Sequence, residues 1–138
     1  MSISATARKL SPLQKLILVD LIAALVCALF GAVYERFSHG VYSYWMLYAF
    51  AFPLVLGVLP LYLVEALRAP LPGSLRWGLY HAGIATLTVG SLISGALEIY
   101  GTSSPLTFVY WIVGEVLTLL GVLLFLSRLI QAGQRRAA

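Results

Sequence analysis

Two acidic residues of this chain stand inside apolar runs. Glu115 is the only acid between Leu106 and Ile130, in LTFVYWIVGEVLTLLGVLLFLSRLI, and Asp20 interrupts the run from Leu16 to Tyr34. A carboxylate at the bilayer centre costs about 2.5–3.5 kcal/mol on insertion scales, so both acids are expected to face the protein interior and to mark a functional site. Glu115 follows the start of its run by nine residues, roughly 13 Å at ~1.5 Å per residue, which is near mid-bilayer. Thr107, Trp111 and Thr118 share its side of a helix. No Lys or Arg lies at a matching depth. The available partners are the hydroxyls of Thr86, Thr88, Ser91 and Thr118, Tyr or Trp donors, and His81. A carboxyl without a cation in such a place is expected to be protonated and to donate a hydrogen bond. Two roles follow: a structural clasp between helices, or a group that takes up and releases a proton or a cationic substrate. The candidate proton or substrate site is therefore Glu115, Asp20, Trp111, Thr118 and His81. Glu35, Glu65 and Glu98 fall at the ends of apolar runs and are expected to be solvated, with Glu65 pairing to Arg68 at i+3.

Other chemistry finds little support. His39 and His81 belong to opposite sides of a membrane, so they cannot ligate one haem iron together. No Cys/His/Asp cluster has metal-ligand spacing. There is no nucleophile elbow, no glycine-rich phosphate loop and no HExxH. The single cysteine, Cys27, lies in an apolar run and reads as a small buried contact residue. The hydroxyls of Gly101-Thr102-Ser103-Ser104-Pro105 have no nearby base and read as a turn. The expectation is no catalytic residue, no metal and no cofactor.

The elements that must position these residues follow from composition. Of 138 residues, 61% are hydrophobic and 10% charged, against about 25% charge in a soluble domain. Mean hydropathy is +0.95. Four segments are long enough to cross a bilayer, which takes about 20 apolar residues: 16–34, 44–67, 77–100 and 106–130. Ser38-His39-Gly40, Ala69-Pro70-Leu71-Pro72-Gly73 and the 101–105 turn separate them. Ser104-Pro105 is expected to cap and start the fourth helix. The first segment follows a basic leader, but Asp20 and the length of its apolar core argue against a cleaved signal.

Orientation follows from the basic residues. Arg8, Lys9, Lys15, Arg68, Arg76, Arg128, Arg135 and Arg136 fall on one side, and Arg36 alone on the other. Both termini are thus expected in the cytoplasm, in the inner (plasma) membrane of a bacterium. The formal charge of +4 is topological and can rest against anionic lipid, with no nucleic acid implied. The outer side is aromatic: Tyr34, Phe37, Tyr42, Tyr44, Trp45 and Tyr48 near one loop, Tyr100, Phe108, Tyr110 and Trp111 near the other. These read as an interfacial belt, or more sharply as a mouth for an amphiphile or a quinone-like ring.

In lipid, small residues mark helix contacts. Ala24, Cys27 and Gly31 continue a stripe from Asp20 through Ala28. Gly83, Gly90, Ser94 and Gly95 mark the third segment, Gly114 and Gly121 the fourth. Pro53, Gly57 and Pro60 share one face of the second and are expected to kink it. The expected fold is an all-α, single-domain four-helix membrane bundle with short loops, its basic tails at 1–15 and 131–138. The expected function is a non-enzymatic membrane subunit or scaffold, self-associating or joined to other membrane subunits. The alternative is a small oligomeric proton-linked transporter or channel built on Glu115 and Asp20.

Overall fold

A computed structural model of the chain describes residues 10–68 and 73–137. Arg8, Lys9 and the turn residues Ala69, Pro70, Leu71 and Pro72 lie outside the described residues, as do the side chains of Arg135 and Arg136. The described chain is helical, with three long apolar helices and a shorter, broken element.

Helix α1 spans Pro12–Phe37. Ser11 starts it with a capping box: its hydroxyl accepts from Gln14 N–H and the Gln14 side chain accepts from Ser11 N–H. Pro12 at the first position has no N–H to leave unpaired. The buried residues of α1 are Asp20, Ala24, Cys27 and Gly31, one stripe at helical spacing.

The second element is not a continuous helix. A single turn, α2 (Tyr44–Leu47), is followed by a break at Tyr48–Phe50, a π-helix over Phe52–Val58, and α3 (Leu59–Ala66). Pro53 and Pro60 lack the N–H that a regular helix needs, and the chain answers by widening to i→i+5 bonds, as between Leu59 N–H and the Leu54 carbonyl. In a regular helix the Leu56 carbonyl would accept from residue 60, which is proline. The Tyr80 hydroxyl donates to it instead, at 2.7 Å.

Helix α4 (Ser74–Tyr100) is the most buried of the long helices, and α5 (Thr107–Ala137) the least. Gly101, at φ +80°, ends α4 in the left-handed conformation, with Thr102 N–H closing on the Leu97 carbonyl. Ser104-Pro105 starts α5 two residues later than expected. Ser104 Oγ accepts from Leu106 N–H at 3.3 Å, and tight i→i+3 bonds lead into the helix at Thr107. Helix α5 also continues past Ile130 to Ala137 where a tail was expected.

Packing runs in series. Helix α1 lies on the broken element, the broken element on α4, and α4 on α5. Among the described residues, helices α1 and α5 share no comparable face. The α4–α5 contact is backbone-close: a Cβ on Gly83 would strike the Gly114 carbonyl at 2.8 Å, and one on Gly121 would meet Tyr80 Cα at 2.8 Å. Met46 of α2 is fully buried between Gly31 of α1 and Gly95 of α4. Ser91 Oγ donates to the Trp45 carbonyl at 2.6 Å, and Ser43 Oγ to the Glu98 carboxylate. The broken element therefore runs antiparallel to α4, from the level of Glu98 to that of Trp77.

Candidate functional site

The small-residue face of α1 delivers Asp20 into the protein, 6% exposed. It arrives opposite the π-helix. A Cβ on Gly57 would lie 2.7 Å from both Cγ and Oδ2 of Asp20, so only glycine leaves room for the carboxylate. One turn past Trp77 on α4, His81 reaches the same point, with Nε2 3.1 Å from Asp20 Oδ2. This is the only Asp/Glu–His/Lys/Arg pair within 4 Å seen among the described residues outside Arg128. Trp77 packs on the imidazole with ring centroids 4.4 Å apart, and Tyr80 lies at 5.9 Å.

The polar inventory here is incomplete. With Nε2–H donating to Asp20, the neutral imidazole keeps an acceptor lone pair on Nδ1. Nδ1 is buried and has no partner, and neither does the buried Trp77 Nε1–H. A buried polar atom left unpaired costs about 1–3 kcal/mol. The cluster thus combines a carboxylate, an imidazole, one idle acceptor and one idle donor, set against a helix broken by two prolines. Such an arrangement can hold a proton between Asp20 and His81. It can also accept a small hydroxyl-bearing guest that donates a hydrogen bond to His81 Nδ1 and accepts one from Trp77 Nε1–H. Beside it, Pro60, Val64, Trp77, Tyr80, Val122 and Phe125 enclose a mostly apolar cavity of about 230 Å³ with Arg76 at its rim.

Glu115 is elsewhere. Leu87 faces Gly114 and Tyr80 faces Gly121, so His81 sits about five residues, roughly 8 Å along the axis, from the level of Glu115. The expectation that both acids point inward fails for Glu115, which is exposed. The reason is the helix wheel. Gly114, Thr118 and Gly121 form the ridge that meets α4, and a residue one position beyond Gly114 is turned about 100° off that ridge. Glu115 makes no hydrogen bond or ion pair with a described residue. Thr118 spends its hydroxyl on the Gly114 carbonyl at 2.7 Å. Trp111 instead packs against Trp45 at 4.8 Å and Phe52 at 5.9 Å. The five candidate residues therefore divide: Asp20 and His81 meet, while Glu115, Trp111 and Thr118 each do something different.

Pairing of Glu65 with Arg68 also takes another form, Arg68 N–H donating to the Glu65 carbonyl at 3.1 Å with Arg68 at φ +49°. The π-helix, and with it Tyr80 and Trp77 as members of the site, was missed by sequence reasoning. The signal available was Pro60 at four residues beyond Leu56, which announces an orphan carbonyl. No family model, curated protein or solved structure matches the chain.

Proposed function

We propose that this chain is a non-enzymatic integral membrane subunit that crosses the bilayer four times, keeps both termini in the cytoplasm and self-associates through α5. The fourth crossing would be the α2–π–α3 element. It accompanies α4 between the levels of Glu98 and Trp77, about 30 Å at ~1.5 Å per residue, which suits the hydrocarbon thickness.

One observation carries the reading: an exposed, unpartnered carboxylate at the middle of the least covered helix. Glu115 lies in a stripe of exposed residues, Phe108, Ile112, Leu119, Val122 and Leu126. Its steps alternate between four and three, the spacing of a left-handed helix pair, where a single polar residue sets register. Two copies related by an axis along the membrane normal bring parallel α5 helices together. The same residue then meets itself at the same depth, and Glu115 finds a carboxyl partner that this chain has no cation to replace. Interhelical hydrogen bonds in lipid are worth about 0.6–2 kcal/mol. Molar mass in lipid nanodiscs across a dilution series tests this. Glu115→Gln should keep the dimer, and Glu115→Leu should weaken it roughly tenfold. A wild-type protein that stays monomeric at every lipid ratio would sink the reading.

The Asp20–His81 pair favours a second reading, a proton-linked transporter whose path runs along the broken element. Proton flux into liposomes that is lost in Asp20→Asn and retained in Glu115→Gln would support it over the first.

A further inference from the structure

A different polar pocket, of about 330 Å³, lies at the far end of the α4–α5 hairpin from Trp77. Glu98, in the last turn of α4, forms one wall. Its carboxylate is held by the Ser43 hydroxyl, and no Lys, Arg or His side chain pairs with it among the described residues. Trp45 and Trp111 also line the pocket, their rings 4.8 Å apart and inclined at 53°, with Phe52 packed on Trp111 at 5.9 Å. The left-handed turn at Gly101 brings Thr102 and Ser103 to the pocket lining. Ser104 and Thr107 spend their hydroxyls on the turn itself, whereas those of Thr102 and Ser103 have no partner within the described chain.

Each feature narrows the guest. The carboxylate repels anions. A single carboxylate is too few for a divalent cation, which takes six or more oxygens in the case of calcium. A neutral apolar guest would cover Glu98 and leave it without compensation. Indole faces attract cations that water holds weakly, and the combination of an aromatic wall with an acid suits an ammonium centre carrying carbon substituents. We infer that this pocket binds an organic ammonium ion, with the charge between Glu98 and the Trp45–Trp111 wall and its hydroxyl or N–H groups meeting Thr102 and Ser103. The inference is independent of self-association through α5. A dissolved ammonium ion and the headgroup of a cationic amphiphile share this chemistry.

The test is tryptophan fluorescence of the full chain in nanodiscs, in a Trp77→Phe background so that only Trp45 and Trp111 report. Two cations are titrated, tetraethylammonium and dodecyltrimethylammonium, alongside the uncharged carbon isostere of the first, tetraethylmethane, delivered from a dilute cosolvent. A saturable change with either cation and none with the isostere is expected. Response to both cations indicates a dissolved ligand, and response to the amphiphile alone indicates a headgroup. Glu98→Gln should weaken binding about tenfold, and Trp45→Leu should weaken it more than Trp45→Phe, which keeps an aromatic face. Equal response to the isostere, unchanged affinity in Glu98→Gln, or no saturable change with either cation would overturn the inference. The Trp45 pair decides the matter should Glu98→Gln fail to fold.

Discussion

Gly57→Ala is the most informative small change in this protein. In an ordinary helix the substitution gains about 1 kcal/mol from propensity. Here the new Cβ would sit 2.7 Å from Cγ and Oδ2 of Asp20 and 3.1 Å from its Cβ. Ordinary van der Waals contact begins near 3.4 Å, so the carboxyl must retreat by about 0.7 Å. The Asp20–His81 separation is 3.1 Å. A retreat of that size along the line from His81 lengthens it to about 3.8 Å, beyond hydrogen-bond range, which ends near 3.5 Å. Breaking a hydrogen bond to an ionisable group costs about 1.5–3 kcal/mol, and overpacking adds about 1–3 kcal/mol. The net expectation, after subtracting the propensity gain, is a loss of about 1.5–5 kcal/mol. Thermal unfolding in detergent micelles measures it, and a double-mutant cycle isolates the cause. In an Asp20→Ala background the two 2.7 Å contacts are gone and only the Cβ contact at 3.1 Å remains, so Gly57→Ala should cost far less, a coupling of about 2 kcal/mol. A Gly57→Ala protein as stable as wild type, or an equal loss in both backgrounds, would refute the claim that Gly57 exists to admit Asp20.

Gly95→Val should expel α2, because the added Cβ would meet Met46 N at 2.6 Å and Met46 Cα at 2.9 Å, backbone that cannot turn aside. A fall in melting temperature with increased protease access at Tyr48–Phe50 reports it, whereas Gly78→Ala, with nothing within 4 Å, should be neutral or stabilising by up to about 1 kcal/mol. Tyr80→Phe should cost about 1 kcal/mol by stripping the Leu56 carbonyl of its donor. Pro60→Ala restores an N–H at the position that a regular helix would use, so the Tyr80→Phe penalty should shrink in that background; an unchanged penalty would mean the hydroxyl is not replacing a missing helix bond. For topology, cysteines placed at Gln14 and Gly133 in a Cys27→Ala protein should be blocked by a membrane-impermeant maleimide only after intact cells are opened, and a cysteine at Tyr42 should be blocked before.

Much of the scaffold was legible because lipid makes strong demands. The length of apolar runs and the position of Gly and Pro located three long helices, with every end within four residues except the C-terminal end of α5, which runs on to Ala137. The stripe from Asp20 to Gly31 located the buried face of α1. The second element was harder. Proline at positions 53 and 60 announced a kink, but not that the chain would absorb two missing donors by a π-helix and one borrowed tyrosine hydroxyl. That solution depends on Tyr80, distant in sequence. The site was half legible for a similar reason. Asp20 and His81 were each visible as polar residues in apolar runs, and their meeting depends on how α1 and α4 lie across the π-helix. Glu115 was misplaced because an acid in an apolar helix was assigned to the interior of one chain. The small-residue ridge one position away had already taken that interior face, which leaves Glu115 for a surface that a second copy can cover.

Disulfide cross-linking in native membranes tests self-association through α5 most directly. In a Cys27→Ala protein, single cysteines are placed in turn from Phe108 to Leu126 and oxidised. Disulfide-linked dimers should peak at Ile112, Leu119 and Leu126, with a period near 3.5 residues and minima at Val113 and Leu120. The peaks should persist in Glu115→Gln and fade in Glu115→Leu. Uniform or absent cross-linking along α5, or a periodicity that places Glu115 at a minimum, would contradict the account.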